Sequence, residues 1–189
     1  MINYLATQKN WQNAFSDTIT SFAELAQVLD LPIDSFDSQV GQFPLRVPRR
    51  FMQKMGKGDI NDPLLKQVLP TFQETVQVTG FVTDPLDEQH ANPVKGIIHK
   101  YASRVLIPVT GACVVNCRYC FRQHFDYHEN LPTQNDWQAI SAYITAHPAV
   151  NEVILSGGDP LSLSNRRLLE IFTTLEALPQ VQTIRIHTR

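Results

Sequence analysis

Three cysteines, Cys113, Cys117 and Cys120, are the only cysteines among the 189 residues of the chain. Their C-x3-C-x2-C spacing lets one short loop present three thiolates, which are the ligands of iron–sulfur clusters, to three corners of a cube. The fourth corner then has no cysteine, and an iron without a protein ligand is able to accept a small molecule. The loop therefore predicts an iron–sulfur cluster with a catalytic role.

A zinc site is the alternative interpretation of the same loop. His124 or His128 follows closely enough to complete a Cys3His set, which is a common structural zinc site. Zinc motifs, however, usually consist of two separated ligand pairs, whereas these three thiols fall within eight consecutive positions. Three closely spaced cysteines cannot form a disulfide framework, because their number is odd. Free thiols of this kind are typical of a reducing compartment. We interpret the loop as a cluster loop in a cytoplasmic protein.

A second polar motif follows the apolar run "EVIL" and comprises Ser156, Gly157, Gly158 and Asp159 before a proline. Two adjacent glycines permit a ligand to approach the backbone closely, and Asp159 could accept a hydrogen bond from an ammonium group. The same composition is also common in turns between a strand and a helix, with the aspartate as the cap. On its own, the motif leaves both interpretations open.

The elements that must position these motifs are three short apolar runs, at 104–110, 152–159 and 181–188. Their β-branched residues predict buried strands. Helical patterns at about 134–146 and 164–178 lie between them, and this alternation predicts parallel βαβ units with right-handed crossovers. Sites of parallel α/β proteins form where strands end, and both polar motifs follow such ends.

Residues 1–78 are predicted to form a helical segment. Helical periodicity begins at Trp11 and again at Phe22, where Ser21 and Glu24 form a capping box. Four prolines break the rest of the segment into short helical pieces and leave little room for strands: Pro44, Pro48, Pro63 and Pro70.

The predicted organisation continues with a turn-rich connecting segment at 79–99 and an α/β core at 100–189. The 16 basic and 18 acidic residues give a formal net charge of -2, so no positive field favours nucleic acid or an anionic membrane. No apolar stretch reaches the roughly 18 residues that would span a bilayer. We therefore expect neither nucleic acid nor a membrane as a partner.

Longer stretches of the sequence carry a family resemblance. "DPLDEQHANPVKGIIHKYASRVLIPVTGACVVNCRYCFRQHF", "EVILSGGDPLSLSNRRLLEI" and "IRIHTR" resemble the lysine 2,3-aminomutase family of radical S-adenosylmethionine enzymes. "FPLRVPRRFMQKMGKGDINDPLLKQVLP" resembles the branch that makes (R)-β-lysine for elongation factor P. The resemblance implies an N-terminal helical segment followed by the first three parallel strands of a partial (β/α)6 barrel.

The resemblance also implies cofactors, a substrate and partners. The cofactors are a [4Fe-4S] cluster, S-adenosylmethionine and pyridoxal phosphate; the substrate is lysine, and an electron donor and the elongation factor P pathway are the partners. In the family, the cluster and S-adenosylmethionine generate a 5'-deoxyadenosyl radical, and the amino group migrates from C2 to C3 of lysine while pyridoxal phosphate holds it. A homo-oligomer is a further expectation.

The residue roles that the resemblance implies fall into four groups, and none of these residues is assigned as catalytic. They are Cys113, Cys117 and Cys120 as ligands of three irons, Ser156, Gly157, Gly158 and Asp159 on S-adenosylmethionine, Tyr101 and Arg104 on pyridoxal phosphate, and Arg122 on the substrate carboxylate.

The sequence departs from the family pattern in one respect. Family members carry further strands and a lysine that binds pyridoxal phosphate, whereas every lysine of this chain precedes Cys113. We therefore expect the chain to be C-terminally truncated, to be inactive as an aminomutase by itself, and to self-associate through an exposed strand edge. The alternatives are a non-catalytic binding module stabilised by zinc and a different radical enzyme that shares the loop.

Overall fold

The computed structural model describes residues 16–32 and 44–189 of the chain. The chain forms two compact units, which we call the helical unit and the sheet unit. Of the described residues, 16–32, 44–81 and 114–123 form the helical unit, and 82–113 and 124–189 form the sheet unit. Most of the cysteine loop thus groups with the N-terminal part of the chain, whereas the predicted core at 100–189 included it. The predicted segment boundaries stay a prediction.

Short elements make up the helical unit. They are β1 at Thr18–Ile19, α1 at Phe22–Val28, β2 at Val47–Pro48 and α2 at Arg49–Met52, with 3₁₀ turns at Leu65–Gln67 and Phe72–Thr75. The predicted helix start at Phe22 is confirmed, because the Ser21 side chain accepts a hydrogen bond from the Glu24 backbone N–H at 3.5 Å. The predicted helix from Trp11 begins outside the described residues.

The expectation that prolines leave little room for strands in this segment is wrong at one place. β1 and β2 pair in antiparallel orientation, with Ile19 opposite Val47 and Thr18 opposite Pro48. Ile19 and Val47 are completely buried, so the ladder aligns two core side chains. Pro48 is tolerated because it ends a two-residue strand, where a missing N–H costs little.

A buried carboxylate organises the loop before the first 3₁₀ turn of the helical unit. Asp62 accepts backbone hydrogen bonds from Gly56 at 2.9 Å, from Leu65 at 2.9 Å and from Leu64 at 2.8 Å. These hydrogen bonds, that of Gly56 first, hold the pKa of the Asp62 carboxyl below its usual range. The carboxylate thus fixes the start of the turn Leu65–Gln67, and Leu65 is itself completely buried.

The sheet unit contains one four-stranded sheet and three helices. The strands are β3 at Ile98–Tyr101, β4 at Arg104–Thr110, β5 at Glu152–Gly157 and β6 at Thr183–Ile186; the helices are α3 at Tyr127–Asn130, α4 at Asp136–Ala146 and α5 at Asn165–Glu176. The sheet order is β3-β4-β5-β6. β4, β5 and β6 are parallel, which confirms the mixed α/β class with a parallel sheet.

Strand β3 is an element that the sequence did not predict. It pairs with β4 in antiparallel orientation, with Tyr101 opposite Arg104. Two intervening residues form the turn, and the predicted connecting segment at 79–99 ended where this strand begins. A four-residue strand whose last two residues are exposed has too little apolar alternation to be recognised.

The two faces of the parallel strands differ in character. One face is completely buried against α4 and α5 and consists of Val105, Ile107, Val153 and Leu155. Because side chains alternate along a strand, the opposite face carries the intervening residues, including Arg104, Glu152, Ser156 and Arg185. Among the residues that the structure describes, no helix combines the length and apolar character needed to cross a membrane.

Candidate functional site

The cysteine loop is anchored by backbone and side-chain contacts inside the helical unit. The Asn116 backbone N–H donates to the Arg46 carbonyl at 3.1 Å, and its side-chain amide donates to the Pro44 carbonyl at 2.8 Å. The Arg118 backbone N–H donates to the Gln67 carbonyl at 2.9 Å. Val115 packs against the core of the same unit. Residues far earlier in the chain therefore set the path of the loop.

Arg118, which lies between the second and third cysteines, carries the strongest of these anchors. Its Nε atom lies 2.7 Å from Glu74 Oε1, and its guanidinium donates to the Thr71 hydroxyl at 3.1 Å. The Arg118 and Glu74 side chains are only 25% and 23% exposed, so solvent screens this pair less than a surface pair. The sequence did not predict this ion pair, because Glu74 lies 44 positions before Arg118 and no local pattern links the two residues.

Breaking this anchor gives a first testable prediction. In a Glu74→Gln chain the Arg118 guanidinium loses its charge partner. We therefore expect the loop to hold iron less firmly, so that a chelator removes iron several-fold faster. This change in rate corresponds to about 1 kcal/mol. Chelator-induced bleaching of the reconstituted protein measures the rate. Glu129→Gln, at an exposed side chain of α3, is the matched control. Equal bleaching of both variants and the unsubstituted chain would show that the anchor does not matter.

None of the three cysteines forms a disulfide, and all three are of intermediate exposure. The Cys120 backbone N–H donates to the Cys117 carbonyl at 3.1 Å, so these two cysteines share one tight turn of the helical unit, while Cys113 belongs to the sheet unit. Within residues 16–32 and 44–189, no three His, Cys, Asp or Glu side chains are gathered as a metal-binding group. Metal binding commonly brings such ligands together, because its free energy is coupled to folding of the site. The donor set and its turn fit a cluster.

The histidines of the zinc interpretation lie in the sheet unit. His124 is exposed, and His128 is exposed and lies 3.0 Å from Glu129 through its Nδ1 atom. Neither joins the cysteines in a group of metal ligands within the described part of the chain. Because the three cysteines are not gathered either, the geometry does not decide between the cluster and the Cys3His set.

The glycines of the second motif pack directly on the strand that leads to the cysteine loop. The Gly158 backbone N–H donates to the Thr110 carbonyl at 2.6 Å, and the Asp159 backbone N–H donates to the Ala112 carbonyl at 2.8 Å. A Cβ atom on Gly157 would lie 2.3 Å from the Thr110 carbonyl oxygen, and one on Gly158 would lie 2.4 Å from that of Ala112. This close backbone packing is by itself enough to require glycine at both positions.

Asp159 caps the turn that follows. Its Oδ1 atom accepts hydrogen bonds from the Leu161 backbone N–H at 3.1 Å and from the Thr188 hydroxyl at 2.6 Å. The Thr188 contact joins the ends of β5 and β6, and the sequence gives no signal for it. The structure thus has the capped turn that was one of the two interpretations, and a contact of Asp159 with an ammonium group stays a proposal.

Arg122, in the helical unit, is 5% exposed. Its guanidinium carbon lies 4.8 Å from the centroid of the Phe121 ring, a cation–π contact. A planar guanidinium suits the recognition of a carboxylate, so the side chain has the chemistry that the resemblance implies. The structure therefore places Arg122 away from the solvated surface.

Tyr101 and Arg104 lie at the opposite end of the sheet from Gly157 and Asp159. Arg104 is the first residue of β4, and its guanidinium carbon lies 5.2 Å from the centroid of the Tyr101 ring. The structure brings these two predicted residues together but separates them from the motif at the carboxyl ends of the strands.

Comparison with known proteins adds a family-level finding. Residues 102–188, which include all three cysteines, match the family model described as "4Fe-4S single cluster domain". The chain is 44% identical to the L-lysine 2,3-aminomutase of Escherichia coli (strain K12) over 187 residues, which cover 97% of this chain and 54% of that protein.

Two further relatives carry the same name. The L-lysine 2,3-aminomutase of Haemophilus influenzae is 44% identical over 185 residues, covering 96% of this chain and 55% of that protein. The L-lysine 2,3-aminomutase of Clostridium subterminale is 31% identical over 189 residues, covering 97% of this chain and 45% of that protein. The chain thus spans about half the length of the curated relatives it matches.

Proposed function

The chain belongs to the lysine 2,3-aminomutase family of radical S-adenosylmethionine proteins, and we propose that it is the part of such an enzyme that holds the cluster. The proposed reaction converts (S)-α-lysine to (R)-β-lysine by 2,3-amino migration. The observation that carries the proposal is the three-cysteine loop inside a stretch that matches a [4Fe-4S] domain and is 44% identical to two L-lysine 2,3-aminomutases.

In this proposal Cys113, Cys117 and Cys120 ligate three irons, and the fourth iron is left for S-adenosylmethionine. The bound cluster would supply the one-electron reduction on which cleavage of the sulfonium bond, and so the radical chemistry, depends. The chain's own task is positioning. The anchored backbone around Asn116 and Arg118 holds the path of the loop through the hydrogen bonds described above.

The turn at the end of β5 would hold S-adenosylmethionine. Gly157 and Gly158 let this turn pack on the backbone of Thr110 and Ala112, which fixes its position. The carboxylate of Asp159 would accept hydrogen bonds from the ammonium group of the ligand. Ser156, 5% exposed at the same end of the sheet, completes the motif. Arg122 would pair with the carboxylate of the substrate lysine, because a planar guanidinium can make two parallel hydrogen bonds to a carboxylate.

Pyridoxal phosphate is the third proposed cofactor, and its aldehyde would carry the migrating amino group. Tyr101 and Arg104 fit a phosphate-bearing aromatic ligand, since an exposed phenol ring stands beside a half-exposed guanidinium. The resemblance implies a lysine side chain that binds this cofactor, and no lysine of the given sequence matches that position. We therefore propose that these 189 residues bind the cluster without performing the full rearrangement.

The wider setting is also proposed. The three parallel strands would be the first half of a partial (β/α)6 barrel, in a cytoplasmic enzyme that receives electrons from a separate donor, forms a homo-oligomer and serves β-lysylation of elongation factor P. The resemblance of the segment around "PRRFMQKMGKGDINDPLLKQVLP" supports this branch.

Anaerobic reconstitution tests the central proposal. The purified chain, supplied with iron and sulfide, is expected to turn brown, with broad visible absorbance and about four irons per chain. After reduction it should cleave S-adenosylmethionine to 5'-deoxyadenosine but form no β-lysine. Colourless protein that holds one zinc would instead support the non-catalytic module, and detection of β-lysine would contradict the proposed inactivity.

A further inference from the structure

Two histidines and a tyrosine join the edge strand of the sheet to helix α4. His99 lies on β3, Tyr143 lies on α4, and His147 is the residue that ends this helix. The Tyr143 and His147 rings stack with their centroids 4.1 Å apart. The His99 ring meets both of them edge-on, at 5.7 Å from Tyr143 and 5.5 Å from His147. All three side chains belong to the sheet unit and are partly exposed.

Tyr143 engages the same ring nitrogen of both histidines. His147 Nδ1 lies 2.7 Å from the Tyr143 carbonyl oxygen, which can only accept, so Nδ1 carries the proton and donates. His99 Nδ1 lies 2.7 Å from the Tyr143 hydroxyl. Among the described residues, neither Nε2 atom has a hydrogen-bond partner. In the neutral His147 ring, Nε2 therefore carries a lone pair that a ligand can use.

This hydrogen-bond pattern is the one that metal-binding histidines require. Such a histidine donates its other ring N–H to an oxygen, which fixes both the tautomer and the orientation of the ring. His147 already has this partner, and His99 has it in the tautomer whose Nδ1 donates to the phenol oxygen. Burial raises the pKa of the Tyr143 phenol, so its hydroxyl keeps the proton and acts as a hydrogen-bond partner rather than as a metal ligand.

The separation of the two imidazoles fits one shared ion. A Zn–N bond of about 2.0–2.1 Å puts the ion about 3.2 Å from the centroid of the ring that binds it. Two rings at a tetrahedral angle then have their centroids roughly 5.3 Å apart. The centroids of His99 and His147 are 5.5 Å apart. The spacing of β3 and α4 therefore already suits an ion that bridges them.

We propose that His99 and His147 form a site for one divalent transition-metal ion that prefers imidazole ligands, such as Zn²⁺, with water in its other positions. Tyr143 is a positioning residue that holds both rings. The bound ion links the edge strand β3 to the end of α4 and so stabilises the sheet unit. This site uses none of the three cysteines and does not depend on the proposed function.

Titration of the 189-residue chain with Zn²⁺ tests the site. The cysteines are first alkylated with iodoacetamide so that thiols do not compete, and calorimetry follows binding. The chain should bind one Zn²⁺, and His99→Gln and His147→Gln should each weaken binding by more than about tenfold, because a single imidazole remains. His128→Gln, at a 93% exposed histidine of α3, should bind as the unsubstituted chain does.

Tyr143→Phe separates positioning from ligation. It keeps the ring and the backbone carbonyl but removes the hydroxyl that contacts His99. We expect Zn²⁺ binding to weaken by about tenfold, as it does when a ligand loses its hydrogen-bond partner. Thermal unfolding without metal confirms that each variant is folded. With excess Zn²⁺, the melting temperature should rise for the unsubstituted chain and for His128→Gln but not for His147→Gln.

The inference is overturned if the alkylated chain binds no Zn²⁺, or if His147→Gln and His128→Gln bind it equally. Unchanged binding by Tyr143→Phe would contradict the positioning role. Iron and sulfide content of reconstituted, unalkylated chains tests the proposed function separately. A chain that assembles its cluster but binds Zn²⁺ without dependence on His147 keeps the proposed function and loses the histidine site. A chain that forms no cluster but shows this dependence does the reverse.

Discussion

A Cys117→Ser chain is expected to lose its cluster and, with it, all cleavage of S-adenosylmethionine above background. The chain has three cysteines and no fourth thiol that could substitute for a missing ligand. A serine hydroxyl remains protonated near neutral pH, so it is a poor iron ligand compared with a thiolate. Iron content after anaerobic reconstitution should fall from about four per chain to well below one.

The control for this prediction must alter the same loop without removing a ligand. Val114→Ala changes a partly exposed side chain beside Cys113 and should retain iron, sulfide and 5'-deoxyadenosine formation. Cys113→Ser and Cys120→Ser should behave as Cys117→Ser does. A Cys117→Ser chain that assembles a full cluster and cleaves S-adenosylmethionine would remove the basis of the functional proposal.

Gly157→Ala is expected to destabilise the sheet unit by roughly 2–5 kcal/mol, through two separate effects. Gly157 has φ of 113°, a region that costs a residue with a Cβ atom about 1–2 kcal/mol. The new Cβ would also lie 2.3 Å from the Thr110 carbonyl oxygen, and relieving such overpacking costs a further 1–3 kcal/mol or so. The clash involves backbone, which no side-chain rotation relieves.

The expected drop in melting temperature is about 10 °C, measured by circular dichroism. Gly80→Ala is the matched control, because Gly80 also has a positive φ, of 89°, but no atom lies within 4 Å of the position that the alanine methyl group would take. It should show only the smaller backbone cost. If both substitutions cost the same, the close packing of the β5 turn on β4 contributes nothing to stability.

The sheet unit was largely predictable because its signals are local. Strands β4, β5 and β6 and helices α4 and α5 were all expected near their observed positions, since apolar runs and helical periodicity reflect burial that these elements share in most proteins. Strand β3 was missed because a short, half-exposed hairpin strand carries little apolar signal. Strands β1 and β2 were missed because a proline is evidence against a strand, although Pro48 is accommodated at the end of β2.

The sequence by itself predicted the chemistry, since three thiols at this spacing favour an iron–sulfur cluster whatever the fold around them. Only the tertiary structure decided which residues hold that chemistry in place. Glu74 is joined to Arg118, and Thr188 to Asp159, across long stretches of chain, and Glu152 meets Arg185 only through strand register. Such contacts depend on how distant segments pack, and residue type and local periodicity contain no record of that packing.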